Sequence, residues 1–263
     1  MDKIFFLRVA LSFFVSGIWI ALATLFAERL GSKIGGLITN LPSNILISFV
    51  FIAVINGISF TVNSVPGIPL GMAINTLFLC IFIICLPFGI VPSSILSLFT
   101  WFVLAIITSQ TDMDNLVLNS VMYLFLTGGT FLFLEKIVKI QSKKKSDRRY
   151  TLGQLSIRAL FAGGVVASLI ILAQFLPPYA VGIFSTFPAV LLSTMIILVV
   201  SQGKDFARAT GKILILSSSN IVVYGIGIYW TYPEFGIILG TTFSFFMASL
   251  WVWLMHPIVR RLS

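Results

Sequence analysis

Charged side chains are scarce in this chain: they make up 10% of its 263 residues, where a soluble domain carries about a quarter. So few charges cannot cover a soluble fold in which 58% of residues are hydrophobic, and this excludes a soluble enzyme. Acids are the scarcer sign, 8 against 17 Lys and Arg. No Asp or Glu falls in the middle of an apolar run; Glu28, Glu135 and Glu234 stand at run ends. A proton or sodium relay through buried carboxylates is therefore not visible. One histidine, His256, and two cysteines, Cys80 and Cys85, give no metal-spaced cluster and no disulfide framework. The two cysteines share one apolar run and read as small packing residues. A Gly-rich phosphate loop ending in Lys-Ser/Thr and a Gly-x-Ser-x-Gly elbow are also missing. Nothing argues for catalysis or ATP hydrolysis, and neither a cofactor nor a nucleic-acid partner is expected.

What is abundant is apolar sequence in runs long enough to cross a bilayer, which takes roughly 20 residues per helical span. Runs such as Ile81-Phe82-Ile83-Ile84-Cys85-Leu86 do not alternate with polar residues as barrel strands do, so the spans are helices. Nine are expected: Ile4–Phe26, Ile34–Ile55, Ile68–Leu86, Ile90–Thr108, Leu116–Leu134, Leu155–Leu176, Ala180–Ser201, Ile213–Tyr229 and Phe235–Met255. The first has Lys3 and an Ala21-Leu22-Ala23 that weakly resembles a signal-peptide cleavage site. Arg8 interrupts it and a similar segment recurs at mid-chain, so it reads as a retained helix.

Orientation follows from the basic residues, which concentrate on the cytoplasmic side. Lys136, Lys139, Lys143, Lys144, Lys145, Arg148 and Arg149 cluster between the fifth and sixth spans. Counting alternately from that loop puts Arg29, Lys33, Lys204, Arg208, Lys212, Arg260 and Arg261 inside too, with Arg158 at an inner span end. Only Lys3 and Arg8 fall outside, with Asp112, Asp114 and Glu234. The expected protein lies in the cytoplasmic (inner) membrane, N-terminus outside and C-terminus inside. Lys143, Lys144, Lys145, Arg148 and Arg149 could also meet anionic lipid headgroups, although their role in orientation suffices to explain them.

The chain repeats itself. Gly36 and Gly182, Pro42 and Pro188, Leu46 and Leu192, Asn56-Gly57 and Gln202-Gly203, Phe60 and Phe206, and Pro87 and Pro233 share an offset of 146 residues. After one inserted residue, Phe88-Gly89 pairs with Phe235-Gly236 and Ser97 with Ser244. Upstream, Leu7-Arg8 resembles Ile157-Arg158 at a slightly longer offset. The expected fold is thus an all-α integral membrane protein of about nine transmembrane helices. Residues 1–110 form a first four-helix repeat, 111–150 a linking helix and basic loop, and 151–263 a second repeat. Equivalent helices are five crossings apart, an odd number, so the second repeat is inverted. Many secondary transporters are built that way.

Candidate binding residues gather where both repeats interrupt a helix with proline. Thr39, Asn40, Pro42, Ser43 and Asn44 answer to Ser185, Thr186 and Pro188. Proline removes a backbone donor and collides with the carbonyl four residues back. The flanking hydroxyls and amides could serve the freed groups or a solute, and paired broken helices are the best sequence pointer to a transport site. Asn75-Thr76 and the run Ser217 to Asn220, with Ser219 and Asn220 as candidates, add a second polar group, whose ordinary role is hydrogen bonding between helices. Ser97 and Ser244 are weaker candidates. Arg8 and Arg158 can snorkel to headgroups; facing inward, they would favour an anionic solute.

The Gly-Gly-Leu-x-x-x-Leu-Pro segment, Gly35 to Pro42, with Gly182 to Pro188, resembles small uncharacterised prokaryotic membrane proteins. That resemblance brings no substrate. The overall plan is similar to inverted-repeat transporters of the bile-acid-symporter and sodium–proton-antiporter type. This implies crossed broken helices but normally ten helices, with acids where Asn40 and Thr186 stand here. The expected function is a secondary transporter or facilitator of a small polar, conceivably anionic, solute. The alternative is a membrane scaffold, assembly factor or lipid-interacting protein, which would pack its kinks without a cavity.

Overall fold

The structure is a computed structural model and describes residues 3–29, 42–111, 113–140 and 152–262. Among them every regular element is helical: α1 (Lys3–Arg29), α2 (Ser43–Asn56), α3 (Ile58–Ser64), α4 (Gly67–Cys85), α5 (Ile90–Ser109), α6 (Leu116–Leu132), α7 (Leu152–Leu172), α8 (Pro178–Phe184), α9 (Ala189–Gln202), α10 (Lys204–Ser217) and α11 (Asn220–Leu262). A 3-10 turn, Leu86–Phe88, joins α4 to α5, and a π-helical turn, Phe133–Ile137, ends α6. Seven stretches are long and apolar enough to cross a membrane, and Asn44–Asn56 is a shorter apolar helix. The last stretch covers 54 residues and is broken at Gly236 (φ 72°), so it corresponds to two expected spans.

α4 is the central helix: 78% of an 18-residue apolar window within Gly67–Phe88 is buried, against 22% of the corresponding windows in Lys3–Ala23, Ile90–Ser109 and Leu116–Ile137. The outer helices leave large apolar side chains exposed, as Phe14, Phe99 and Phe125 are. Two expected loops are helices instead. α3 follows Gly57 directly, and α10 begins at Lys204 rather than near Ile213. In α10 the small or aliphatic Ala207, Gly211 and Ile215 recur every four residues on the buried face, a helical period that Lys204, Asp205 and Arg208 conceal from a search for unbroken apolar runs. The run Ser217 to Asn220 spans the end of α10, a two-residue turn at Ser218 and Ser219, and the start of α11, rather than the interior of one helix. Serine side chains compete for nearby backbone groups and favour such ends.

Local geometry recurs along the chain. α2 and α9 each hold 14 residues, and their N-caps are Pro42 and Pro188. There the missing N–H costs nothing, while each proline carbonyl accepts the first helical bond, from Leu46 N at 3.0 Å and Leu192 N at 2.8 Å. Both helices end on a glycine that only a residue without Cβ adopts readily: Gly57 at φ 93°, ψ 164° and Gly203 at φ 90°, ψ 167°. The other positive-φ glycines in the described residues, Gly89 and Gly236, are the second pair expected from the repeat.

α1 packs along α7, and the two run antiparallel. A Cβ on Gly17 would lie 3.0 Å from the Ala159 carbonyl oxygen, and one on Gly163 would lie 2.6 Å from that of Phe13. The glycines are 146 residues apart, and so are their partners. Positions 12 to 17 and 158 to 163 also share one burial pattern, with the first, fifth and sixth positions buried in each. An offset of 146 at these positions sets Arg158 against Ser12 and Arg8 against Gln154, four residues from the alignment that pairs Arg8 with Arg158. Arg8 is exposed and Arg158 is buried.

Candidate functional site

The segment 185–188 between α8 and α9 is non-helical and lies against α4. Small residues permit the approach. A Cβ on Gly67 would sit 2.9 Å from Ile183 N and one on Gly71 2.9 Å from Ile183 O, and Gly182 meets the Ser64 carbonyl. Gly67 and Gly71 are one helical turn apart, the small-xxx-small spacing that lets membrane helices touch backbone to backbone.

The broken segment's polar groups are then satisfied locally. Ser185 Oγ donates to Gly182 O at 2.6 Å and Thr186 Oγ1 to Ile183 O at 2.8 Å. The Thr186 carbonyl accepts from Asn75 Nδ2 at 2.7 Å. Asn75 Oδ1 in turn accepts from Trp101 Nε1 at 2.8 Å, which ties α5 to the same point. Thr76 Oγ1 lies 3.1 Å from Thr127 Oγ1 of α6. Asn75 thus acts as a bridge between helices. Trp101, which completes that bridge, went unrecognised in the sequence because an indole in an apolar run reads as packing.

Beside this bridge is a cavity of about 150 Å³. Pro42 and Asn44 line it, as do Ser185, Thr186 and Pro188, together with Asn75, Arg158 and Asn220. Ser217, Ser218 and Thr194 complete its polar wall, and Ile20, Ile45 and Leu191 belong to its apolar one. Ser16 Oγ donates to Asn44 Oδ1 at 3.2 Å, so α1 helps to hold a lining side chain. Two sequence candidates lie elsewhere. Ser219 is not on the cavity wall; its Oγ accepts from Trp251 Nε1 at 2.9 Å, because the turn after α10 points it toward α11. Arg8 sits on the exposed face of α1, remote from the cavity in register. Ser97 and Ser244 are buried and bond back to Ser93 O and Gly240 O within their own helices. Thr39, Asn40 and the side chain of Ser43 lie outside the described residues, as do Lys143, Lys144, Lys145, Arg148 and Arg149.

Away from the cavity, Lys212 of α10 is 1% exposed; its Nζ lies 2.6 Å from Glu135 Oε2 and donates to Ile140 O at 2.9 Å. Glu135 lies in the π-helical turn and Ile140 in the segment that follows it. Among the described residues, four contacts near helix ends each join positions expected on the same side of the membrane: Lys204 Nζ with Pro87 O, Lys212 with Glu135, Asn56 Nδ2 with Ala173 O, and Asn119 Nδ2 with Pro66 O.

Compared with known protein families, with characterised proteins and with solved structures, the chain matches none of them.

Proposed function

We propose that this protein is a secondary transporter or facilitator of a small polar solute, working by alternating access of two inverted repeats in the cytoplasmic membrane. The observation that carries the reading is the single cavity lined by Pro42 and Pro188, the helix breaks of the two copies. A scaffold would gain nothing from a cavity at that place.

Three features support the inverted repeat. The glycine pairs recur in conformation, the proline-capped helices recur in length, and α1 meets α7 through reciprocal contacts. In the last, residue 13 touches 163 while 17 touches 159, the signature of a two-fold relation between antiparallel elements. Each copy then has a break whose conformation the other can adopt, and exchanging them would open the cavity to the opposite side. Gly57 and Gly203, free of Cβ contacts, stand at the ends of α2 and α9 where such a movement can hinge. The sidedness of Lys and Arg supports an outside N-terminus and an inside C-terminus.

The test is transport by Pro42→Ala and Pro188→Ala in proteoliposomes, with a solute found by ligand-induced thermal stabilisation. Both proteins should insert normally, and each should lose at least about tenfold in uptake, roughly 1.4 kcal/mol of function. Uptake equal to the parent in both would remove the breaks from the mechanism.

A further inference from the structure

The break before Pro188 has two faces, and on the reading just given they narrow the solute. Ser185 and Thr186 line the polar cavity, whereas Phe184 and Phe187, one residue to either side of them, line a groove of about 540 Å³. Phe187 belongs to both walls, so the two spaces meet at this residue. Phe102 of α5 and Leu160, Phe161 and Leu172 of α7 flank the groove, and all four are exposed. They stand on two stretches long and apolar enough to span a membrane, so the groove opens toward hydrocarbon rather than water. Gly164 is on the same wall, where a Cβ would meet nothing within 4 Å; the groove reaches the α7 backbone there. Phe187 packs T-shaped on Trp101 at 5.0 Å and tilted on Phe102 at 5.6 Å. A phenyl side chain has no polar atom, so it can turn aside without stranding a hydrogen bond. On the cavity side, the Ser185 and Thr186 hydroxyls have given their protons to Gly182 O and Ile183 O. Their lone pairs are what they offer a solute, and these suit a hydrogen-bond-donating group.

We propose that the solute is a single-chain amphiphile with a small hydrogen-bond-donating head, and that it enters sideways from the bilayer. Its head rests against Ser185 and Thr186, its hydrocarbon chain fills the groove, and Phe187 stands at the passage between them. A polar cavity alone would take any small polar solute, and an apolar groove alone any lipid chain. Their meeting at one residue of the broken segment joins both requirements in one molecule. The groove has the volume of a ligand pocket, roughly 300–1,000 Å³. When the break inverts, the head crosses through the protein while the chain stays in the apolar phase, which avoids drawing an unpaired polar group through hydrocarbon.

Monododecanoylglycerol carrying a diazirine in its chain is a direct probe. It is photolysed with the full-length protein in lipid nanodiscs, and the labelled residues are mapped by mass spectrometry. Unlabelled monododecanoylglycerol, glycerol and dodecane serve as competitors. Labelling should saturate, concentrate between Leu160 and Leu172 and between Phe184 and Phe187, and yield only to the intact amphiphile. Gly164→Phe, which fills the groove, should cut this labelling at least about tenfold. Gly129→Phe, which also has open space around it but lies outside both walls, should leave it unchanged. Labelling spread over the exposed apolar faces and untouched by competitors overturns the site. Equal labelling in the two glycine variants overturns the groove. Competition by dodecane equal to that by the amphiphile overturns the role of the head. Competition by glycerol equal to that by the amphiphile overturns the lateral route and leaves a small polar solute standing. Photolabelling needs no turnover, so the proline variants judge transport separately.

Discussion

Replacing Asn75 with Leu removes the bridge between α4, α5 and the break before Pro188 while nearly preserving volume. Two buried groups lose their partners: the Trp101 indole N–H and the Thr186 carbonyl, in residues 0% and 5% exposed. A buried unpaired group costs about 1–3 kcal/mol. Hydrogen bonds between membrane helices average about 0.6 and reach about 1.7 kcal/mol, because the membrane-inserted unfolded chain finds partners too. The two groups together should therefore cost about 2–3 kcal/mol. The measurement is equilibrium unfolding in mixed micelles with increasing SDS, followed by tryptophan fluorescence. A cycle with Trp101→Phe isolates the shared bond, and a coupling of at least about 0.5 kcal/mol is expected. If Asn75→Leu is as stable as the parent, or if the two changes simply add, Asn75 is not the bridge described. Loss of ligand binding at unchanged stability would make it a solute contact instead.

Three further outcomes follow from the same structure. Glu135→Gln should destabilise the protein by about 1–3 kcal/mol, less than the 3–5 of a fully buried pair because the Glu135 side chain is 42% exposed, and adding Lys212→Met should recover much of the loss in the same titration. Gly163→Ala, whose Cβ would press on the Phe13 carbonyl, should cost about 1–3 kcal/mol, whereas Gly129→Ala, with open space around it, should cost nothing measurable. Cysteines at Ser142 and Gln202 should react only with reagent from the cytoplasmic face and one at Asp112 only from outside; labelling of Ser142 and Asp112 from one side would sink the inverted repeat.

Much of this architecture was legible because proline and glycine act on the backbone directly. Pro42 and Pro188 were legible as breaks in two apolar runs, where the structure makes them the N-caps of α2 and α9, and Gly57, Gly203, Gly89 and Gly236 were legible as matched pairs but not as residues at positive φ. Several apolar helices were legible from their length. The helical nature of α10 was not, because Lys204, Asp205 and Arg208 look like a loop until their neighbours' burial is known. The register of α1 against α7 was also hidden. Both helices are apolar nearly throughout, and the arginines suggested an alignment four residues from the one that Gly17 and Gly163 fix by touching carbonyls. The two sides of the cavity were named from paired prolines, but the side chains that hold it, Trp101 and Ser16, carried no pattern of their own. Ser219 shared a polar run with Asn220, but it sits in the turn before α11 and its hydroxyl meets Trp251 instead of the cavity.

The pairing of α1 with α7 also sets a schedule. α1 is made before α7, and the helix whose carbonyls its glycine meets begins more than 120 residues later in the chain. At a synthesis rate of about 5–20 residues per second, α1 waits roughly 6–25 seconds before its partner exists. Through that interval its small-residue seam, Ser12, Ser16 and Gly17, faces lipid or a temporary companion. The pair therefore closes late, and α1 settles only once α7 has been made.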